Sequence, residues 1–330
     1  FTYGGDAFED QVVTSGYGTE LTPSGRRTAS GAFAQGKVTF FDTLDIIAAL
    51  RYDHYELKGG DVHSEGERVS PKITAGITPF NGVTIFATYA EGYRAPAITE
   101  TLIEGTHSPP ATFPLLPNPD LKPEVAHNLE GGINIKRDNV LSSNDMFRAK
   151  LVAFQNKVDD YIDAVYEFGA YPPFGFALKY ENIQKATIEG IELEAFYDTR
   201  LWFVGLGAHR IRGKNDDTGA PLATIPADQV TLTLGMRAFD EKLVAGTRVR
   251  FVAAQERVPV PPPTSPDIPW LATAGYTVVD LFGEYQLNEN ATINVNIDNL
   301  FDKEYRQYLD LENSPGFSAR VGLTMRLGVQ

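Results

Sequence analysis

The strongest constraint on this chain is a two-residue alternation of apolar and polar side chains that recurs along most of its length. In residues 319–329, apolar side chains occupy every second position, and Arg320, Thr324 and Arg326 lie between them. Since successive side chains of a β-strand point to opposite faces, this period indicates strands with one apolar and one polar face. About fourteen such segments follow one another, many of them ~9–12 residues long.

The connections between these segments alternate in length. Short connections are expected near residues 42, 79–82, 198–200, 239–241 and 288–290. Long connections are expected near residues 14–26, 58–67, 95–124, 167–176, 214–228, 257–275 and 307–316. Antiparallel strands joined in this way place every long loop at one end of the sheet and every short turn at the other. That arrangement is typical of a transmembrane β-barrel with short periplasmic turns and long extracellular loops.

Charged residues in the middle of the predicted strands favour a barrel over a soluble β fold. Glu192, Glu194 and Arg248 lie on polar strand faces, where a water-filled lumen accepts them and the core of a β-sandwich does not. A propeller would show a blade-length internal repeat, and the sequence has none. We therefore predict an all-β fold, a transmembrane antiparallel β-barrel, with a large soluble β-sandwich as the alternative.

Composition narrows the function further. The formal net charge of -14 argues against nucleic-acid binding, which requires a basic face. The chain has no cysteine, so thiol catalysis and cysteine metal sites are excluded. It also contains no HExxH, GxSxG or phosphate-loop motif. We expect a protein that is not an enzyme.

One predicted loop, residues 95–124, differs from all the others. It follows a strand-like run that ends at Arg94, it is rich in proline, and it carries a single histidine, His107. Loops longer than ~12–15 residues without secondary structure are uncommon in compact domains and are usually functional or disordered. Gly105 and Thr106, with residues 108–110, permit a hairpin-like excursion that presents the imidazole ring.

Several segments of the chain resemble TonB-dependent outer-membrane receptors. Residues 299–305 (NLFDKEY) resemble the end of the penultimate strand of these receptors, and residues 320–327 resemble their last strand. One departure is that the chain ends on Gln330 rather than on the terminal aromatic residue that many barrels use in assembly. The resemblance runs through essentially the whole chain.

Two short boxes flank the long loop and resemble those of the haem and haemoglobin receptors in this superfamily. The first, similar to FRAP, is the YRAP box of Tyr93, Arg94, Ala95 and Pro96. The second, similar to NPNL, is the NPDL box of Asn118, Pro119, Asp120 and Leu121. In that branch a histidine between the boxes is a haem-iron ligand. His107 is the only histidine between them here.

The resemblance also implies the wider architecture. Such receptors have about twenty-two strands and an N-terminal plug, so residues 1–330 are expected to be the C-terminal portion of one barrel, without its plug. The expected location is the outer membrane of a Gram-negative bacterium, in contact with lipid. The expected partners are haem, haemoglobin or a haemophore as its donor, and the TonB–ExbB–ExbD complex acting through the missing plug. Haem is the transported ligand, and no catalytic cofactor is expected.

The resemblance and elementary chemistry suggest roles for individual loop residues. His107 is predicted to be an axial haem ligand, since imidazole is a common iron ligand; the plug would supply the second. Arg94 is a candidate contact for a haem propionate, although a charge that fixes the base of the loop is the alternative. Phe113 is a candidate contact for a porphyrin face. The remaining residues of the boxes are interpreted as structural.

Alternatives remain at this point. His63 is a distant alternative haem ligand, whereas His54, His127 and His209 are interpreted as plain polar residues. A ferric-siderophore receptor of the same architecture would have the same strands and loops. A passive porin-like barrel would bind or conduct its solute without TonB. The preferred interpretation is a receptor that captures haem at extracellular loops and imports it to the periplasm.

Overall fold

A computed structural model describes residues 1–15, 23–107, 113–169, 171, 175–259 and 272–327. Within these residues, fourteen strands follow one another in chain order as neighbours in one antiparallel sheet. The first seven are β1 Thr2–Val12, β2 Gly25–Phe40, β3 Leu44–Gly59, β4 Val62–Phe80, β5 Val83–Arg94, β8 Glu124–Asp138 and β9 Met146–Phe168. The other seven are β10 Phe176–Asp198, β11 Trp202–Asn215, β12 Gln229–Ala238, β13 Leu243–Val252, β14 Tyr276–Asn288, β15 Ala291–Asp298 and β16 Ser318–Met325. The predicted number of strands is confirmed.

Three short elements lie between β5 and β8. They are the helix α1 (Ile98–Leu102) and the strands β6 (Gly105–Thr106) and β7 (Pro114–Leu116). Among the described residues, no helix is long and apolar enough to cross a membrane. The two outermost strands of the sheet, β1 and β16, each pair with a single neighbour in the part of the chain that is described, so the sheet is not closed there.

The short turns lie at one end of the sheet, as predicted. Several contain residues in the left-handed region, including Asp42 at φ 55°, Arg200 at φ 70° and Asp240 at φ 53°. The prediction of a long connection at residues 58–67 was wrong. Gly59 pairs directly with Val62, so β3 and β4 continue to a two-residue turn.

The alternation also predicted the two faces of the sheet. We call one face of the sheet the apolar face. It includes a row of cross-strand partners that runs across nine strands: Leu44, Ile77, Ile85, Ile133, Leu151, Leu193, Ala208, Val230 and Phe251. The opposite, polar face carries cross-strand charge pairs such as Lys150 with Glu194 and Arg248 with Asp280. Since cross-strand partners share a face, each face keeps one character across many strands.

Two strands are much longer than a bilayer requires. β9 and β10 have 23 residues each, whereas a barrel strand crosses the hydrocarbon with ~9–11 residues. β9 and β10 form a ribbon. At the end of this ribbon away from the short turn at residues 199–201, roughly the last dozen residues of each strand extend beyond the apolar face. This extension is the platform for the second half of the long loop.

Candidate functional site

The long loop, residues 95–124, is not irregular. It begins with α1, continues into a hairpin of β6 and β7, and returns through the NPDL box to β8. The hairpin pairs Gly105 with Leu115 and Thr106 with Pro114, so the predicted excursion is confirmed. Its tip, residues 108–112, lies outside the described residues.

The first half of the loop packs on β2 and β3. Ile98 and Leu102 of α1 form a buried cluster with Tyr55 and Leu57, and each of the four side chains is at most 5% exposed. A methyl group of Leu102 lies in the space that a β-carbon at position 59 would need, so the glycine at this position allows the contact. The five-residue helix is too short to be stable alone, so this apolar contact holds it.

Arg94 closes the base of the loop with a network of charge-assisted hydrogen bonds. Its Nε and Nη2 donate to the Glu124 carboxylate at 2.6 and 2.7 Å, and its Nη1 donates to Glu100 at 2.9 Å. Glu100 also accepts the Ala97 backbone N–H at 2.8 Å, and Glu124 accepts the Ile162 N–H at 2.8 Å. Bonding to Glu124 raises the pKa of Arg94 above its usual range. This geometry agrees with the alternative interpretation, in which the charge of Arg94 fixes the base of the loop. A contact between Arg94 and a haem propionate stays a prediction.

The second half of the loop packs on the ribbon of β9 and β10. β7 adds to β10 as a parallel strand, with Leu115 opposite Leu178. Beneath the hairpin, Phe113 and Leu115 form a buried cluster with Phe176, and the Phe113 and Phe176 ring centroids lie 5.7 Å apart. Tyr166 meets Phe176 edge-to-face at 5.4 Å. We call these three rings, Phe113, Tyr166 and Phe176, the aromatic base.

His107 lies on top of the aromatic base. Its backbone N–H donates to the Phe113 carbonyl at 2.8 Å, which continues the hairpin by one residue. Its imidazole stacks on the Phe113 ring with centroids 4.8 Å apart and an interplanar angle of 14°. The residue is exposed, whereas Phe113 is only 5% exposed. Phe113 therefore supports the imidazole, and its contact with a porphyrin stays a prediction.

The two boxes make contacts at the points where the loop leaves and rejoins the sheet. Tyr93 packs on Tyr55 with ring centroids 6.2 Å apart, and the Pro96 carbonyl accepts from Arg27 Nη1 at 3.3 Å. Asn118 Nδ2 donates to the Tyr180 carbonyl at 2.8 Å. The remaining members are buried Leu121, half-buried Ala95 and exposed Pro119 and Asp120.

Three of the other four histidines have polar neighbours of their own. His63 lies between Glu56 and Glu65, at 3.9 and 3.7 Å. His127 Nδ1 is 3.0 Å from the Tyr89 hydroxyl, and its Nε2 is 3.3 Å from Asp159. His209 Nε2 is 3.1 Å from the Ala227 carbonyl. His107 differs in combining an exposed ring with an aromatic support.

The structure also brings forward a residue that the sequence analysis missed. Asp163 lies in the extension of β9 and lines a cavity of about 430 Å³ together with Arg94, Glu124 and Tyr180. Burial, and to a lesser degree the charge of Glu124, raises the pKa of Asp163 to about 6. In the sequence it is one acidic residue among many, because its neighbours come from three other segments.

Comparison with known proteins identifies the family. Residues 1–300 match the family described as TonB dependent receptor-like, beta-barrel. The chain belongs to this family. Its members are receptors rather than enzymes, and the resemblance and the all-β fold inferred from the sequence are both confirmed.

Several relatives carry names that refer to haem. The chain is 28% identical over 351 residues to a heme/hemopexin utilization protein C of Haemophilus influenzae, covering 97% of this chain and 48% of the relative. It is 29% identical over 322 residues to a hemin receptor of Yersinia enterocolitica, covering 92% of this chain and 45% of the relative. The chain thus spans about half the length of the curated relatives that it matches.

Solved structures show the same fold. The Serratia marcescens hemophore receptor HasR, a double mutant in complex with its hemophore HasA and heme, matches with a TM-score of 0.78 and 25% identity. The match covers 98% of this chain and 55% of HasR. The copper transporter OprC matches with a TM-score of 0.75 and 21% identity over 91% of this chain and 48% of OprC, which speaks for the fold alone.

Proposed function

We propose that this chain is the extracellular-loop and barrel portion of an outer-membrane receptor that captures haem through His107. The observation that carries the proposal is an exposed imidazole held on a docked hairpin between the YRAP and NPDL boxes. The names of the relatives support haem as the cargo, because several of them refer to heme or hemin.

The geometry around His107 suits iron coordination. A neutral imidazole nitrogen binds iron through a lone pair that lies in the plane of the ring. Phe113 stacks on one face of the ring, and the residue itself is exposed. In this proposal the iron approaches along the ring plane.

The rest of the receptor follows from the proposal. Fourteen strands leave two sheet edges unpaired in the described part of the chain, and lipid does not tolerate such edges. We infer that residues 1–330 are the C-terminal portion of a longer barrel, which further strands close. A plug would then supply the second haem ligand and the contact with TonB–ExbB–ExbD. A haemophore or haemoglobin would deliver the haem, and the complex of HasR with its hemophore supports the first of these donors.

A haem titration of the full-length receptor in detergent, followed by the Soret band, tests the proposal. The wild type should give a saturable low-spin spectrum. His107→Ala should lower the affinity for haem by at least about tenfold, since one axial bond is lost. His63→Ala is the matched control, because His63 is also an exposed loop-end histidine.

The outcomes separate the candidates. An effect of His63→Ala in place of His107→Ala would move the ligand to His63. If neither the wild type nor the two variants bind haem, the cargo is a ferric siderophore. Growth with that siderophore as the sole iron source is then the decisive assay. Haem uptake that survives deletion of TonB would indicate a passive porin-like barrel instead.

A further inference from the structure

The polar face of the sheet carries an aromatic pocket near the start of the loop. Phe8 and Phe33 are 50% and 37% exposed. Their cross-strand partners are Ala29 and Arg51, which place both rings on the polar face. Phe33 lies over Gly4, as Phe203 and Phe282 of the same face lie over Gly235 and Gly246, but Phe203 and Phe282 are less exposed. Exposed rings on a wet, charged face need a separate explanation.

Small residues leave room between these rings. Ala29, Ala49, Ala90 and Gly92 form the floor of a cavity of about 590 Å³, and the buried ring of Tyr55 closes one side. This volume lies within the ~300–1,000 Å³ that is usual for small-molecule sites. Arg94 and Ala95 of the YRAP box also line the cavity, so it opens where the long loop leaves β5.

Two polar groups point to a ligand in this cavity. Ser70 is 6% exposed, and its Oγ has no hydrogen-bond partner among the described residues. A buried hydroxyl of this kind costs free energy unless something bonds to it. Lys72 is exposed and forms no ion pair within the described ranges. It lies opposite Ala49 and Ala90, whose small side chains flank it on the polar face.

The other cations of the cavity contrast with Lys72, because each is already neutralised. Arg27 pairs with Asp10 at 2.6 Å, and Arg51 pairs with Asp6 at 2.9 Å. Arg94 is held by Glu100 and Glu124. The cavity therefore offers one positive charge without an ion pair and one unsatisfied hydroxyl beside two partly exposed phenylalanine rings. One side of the Phe8 ring is already taken by Arg27, whose Cζ lies 5.7 Å from the ring centroid.

We propose that this pocket is a second binding station for haem, distinct from His107. The porphyrin plane lies against Phe8 and Phe33, and one propionate accepts hydrogen bonds from Lys72 Nζ and Ser70 Oγ. This inference rests on the proposed haem cargo, but it does not require His107 to be the iron ligand. Haem released from the loop would be held in this pocket, on the polar face of the sheet, before it moves past the plug.

The test uses the full-length receptor in detergent and iron protoporphyrin IX. His107→Ala should retain a weaker class of bound haem, and adding Lys72→Met should lower the affinity of that class by about tenfold, as the loss of a charge-assisted bond predicts. Lys150→Met is the matched control, since Lys150 lies on the same polar face opposite Glu194. Iron protoporphyrin IX dimethyl ester, which lacks ionised propionates, should be insensitive to Lys72→Met.

The outcomes distinguish this inference from the proposed function. If His107→Ala abolishes all haem binding, the pocket is refuted and the His107 site stands. If Lys72→Met is silent in a correctly folded receptor, judged by its heat-modifiable mobility in SDS gels, the pocket is also refuted. If His107→Ala is silent while Lys72→Met weakens binding, the pocket stands and the proposed loop ligand fails.

Discussion

The two halves of the long loop are attached to the sheet by different physical means. The α1 half is held by side chains, through an apolar cluster with β3 and the carboxylates around Arg94. The β6–β7 half is held by main-chain pairing with β10 and by the aromatic base. The first half buries its side chains at the base of the loop, and the second leaves His107 exposed.

The difference shows how a loop can be both fixed and exposed. A contact between side chains occupies the polar groups that form it, as the four hydrogen bonds from Arg94 to the carboxylates of Glu100 and Glu124 illustrate. Strand addition uses only backbone groups, so the side chains on the outer face stay available to a ligand. The two anchors should therefore fail independently.

The largest effect is expected from Phe176→Ala, which removes the centre of the aromatic base. Phe176 is 2% exposed, and such truncations cost about 3 kcal/mol. Hydrogen exchange of β6 and β7 should accelerate and haem affinity should fall, while α1 keeps its protection. Phe41→Ala is the control, since Phe41 is 90% exposed at a short turn. Equal loss of protection in α1 would mean that the two halves form one unit.

Arg94→Met tests the other anchor. It leaves Glu100 and Glu124 without their shared cation, and we expect a loss of about 2 kcal/mol, because the pair is partly exposed. Exchange should now accelerate in α1 and remain slow in β7. Arg26→Met is the control, as Arg26 forms a more exposed pair with Glu9. A receptor whose haem affinity drops although α1 stays protected would favour the propionate role of Arg94.

Phe113→Leu tests whether the ring of Phe113 orients the imidazole of His107. Leucine preserves most of the apolar contact but removes the face on which His107 stacks, at a cost of about 1 kcal/mol. The orientation of the imidazole plane should become less uniform, which broadens or shifts the g-values of the low-spin ferric haem in electron paramagnetic resonance. Phe113→Tyr should restore the wild-type spectrum. Identical spectra in all three proteins would show that Phe113 does not orient the ring.

The smallest effect concerns pH. The pKa of Asp163 is raised from 3.8 to about 6, so its ionised form is disfavoured in the folded state. The penalty is fully present above pH 6 and disappears as pH falls towards 3.8. The contact between β9 and the base of the loop should therefore be more stable at pH 5 than at pH 7.5, by about 1 kcal/mol after solvent screening.

Asp163→Asn should remove this dependence and equalise the protection of residues 161–164 at the two pH values, once intrinsic exchange rates are corrected. Asp160→Asn is the control, because Asp160 lies on the same strand and is not among the residues that line the cavity. An unchanged difference in the Asp163 variant would assign the pH effect to another group.

The parts of the fold that the sequence predicted are those set by local periodicity. The faces, the order of strands and turns, and the hairpin-like excursion between the two boxes follow from alternation and from turn residues. The prediction failed at residues 58–67, because the row of side chains that is apolar nearer the short turns becomes polar at the far end of β3 and β4. Glu56 opposite Glu65 and Lys58 opposite His63 occupy that row, while Tyr55 and Leu57 of the other row are buried and the ladder continues.

By itself, the sequence determined the sheet, the position of the long loop and His107 as the candidate ligand. Only the tertiary structure decided that Phe113 supports His107, that Arg94 is bound by two carboxylates, and that Ser70 and Lys72 share a pocket with Phe8 and Phe33. The reason is physical. Alternation is a property of neighbouring residues, whereas these contacts join residues far apart in the chain, such as Leu115 and Leu178, and depend on how separate segments pack.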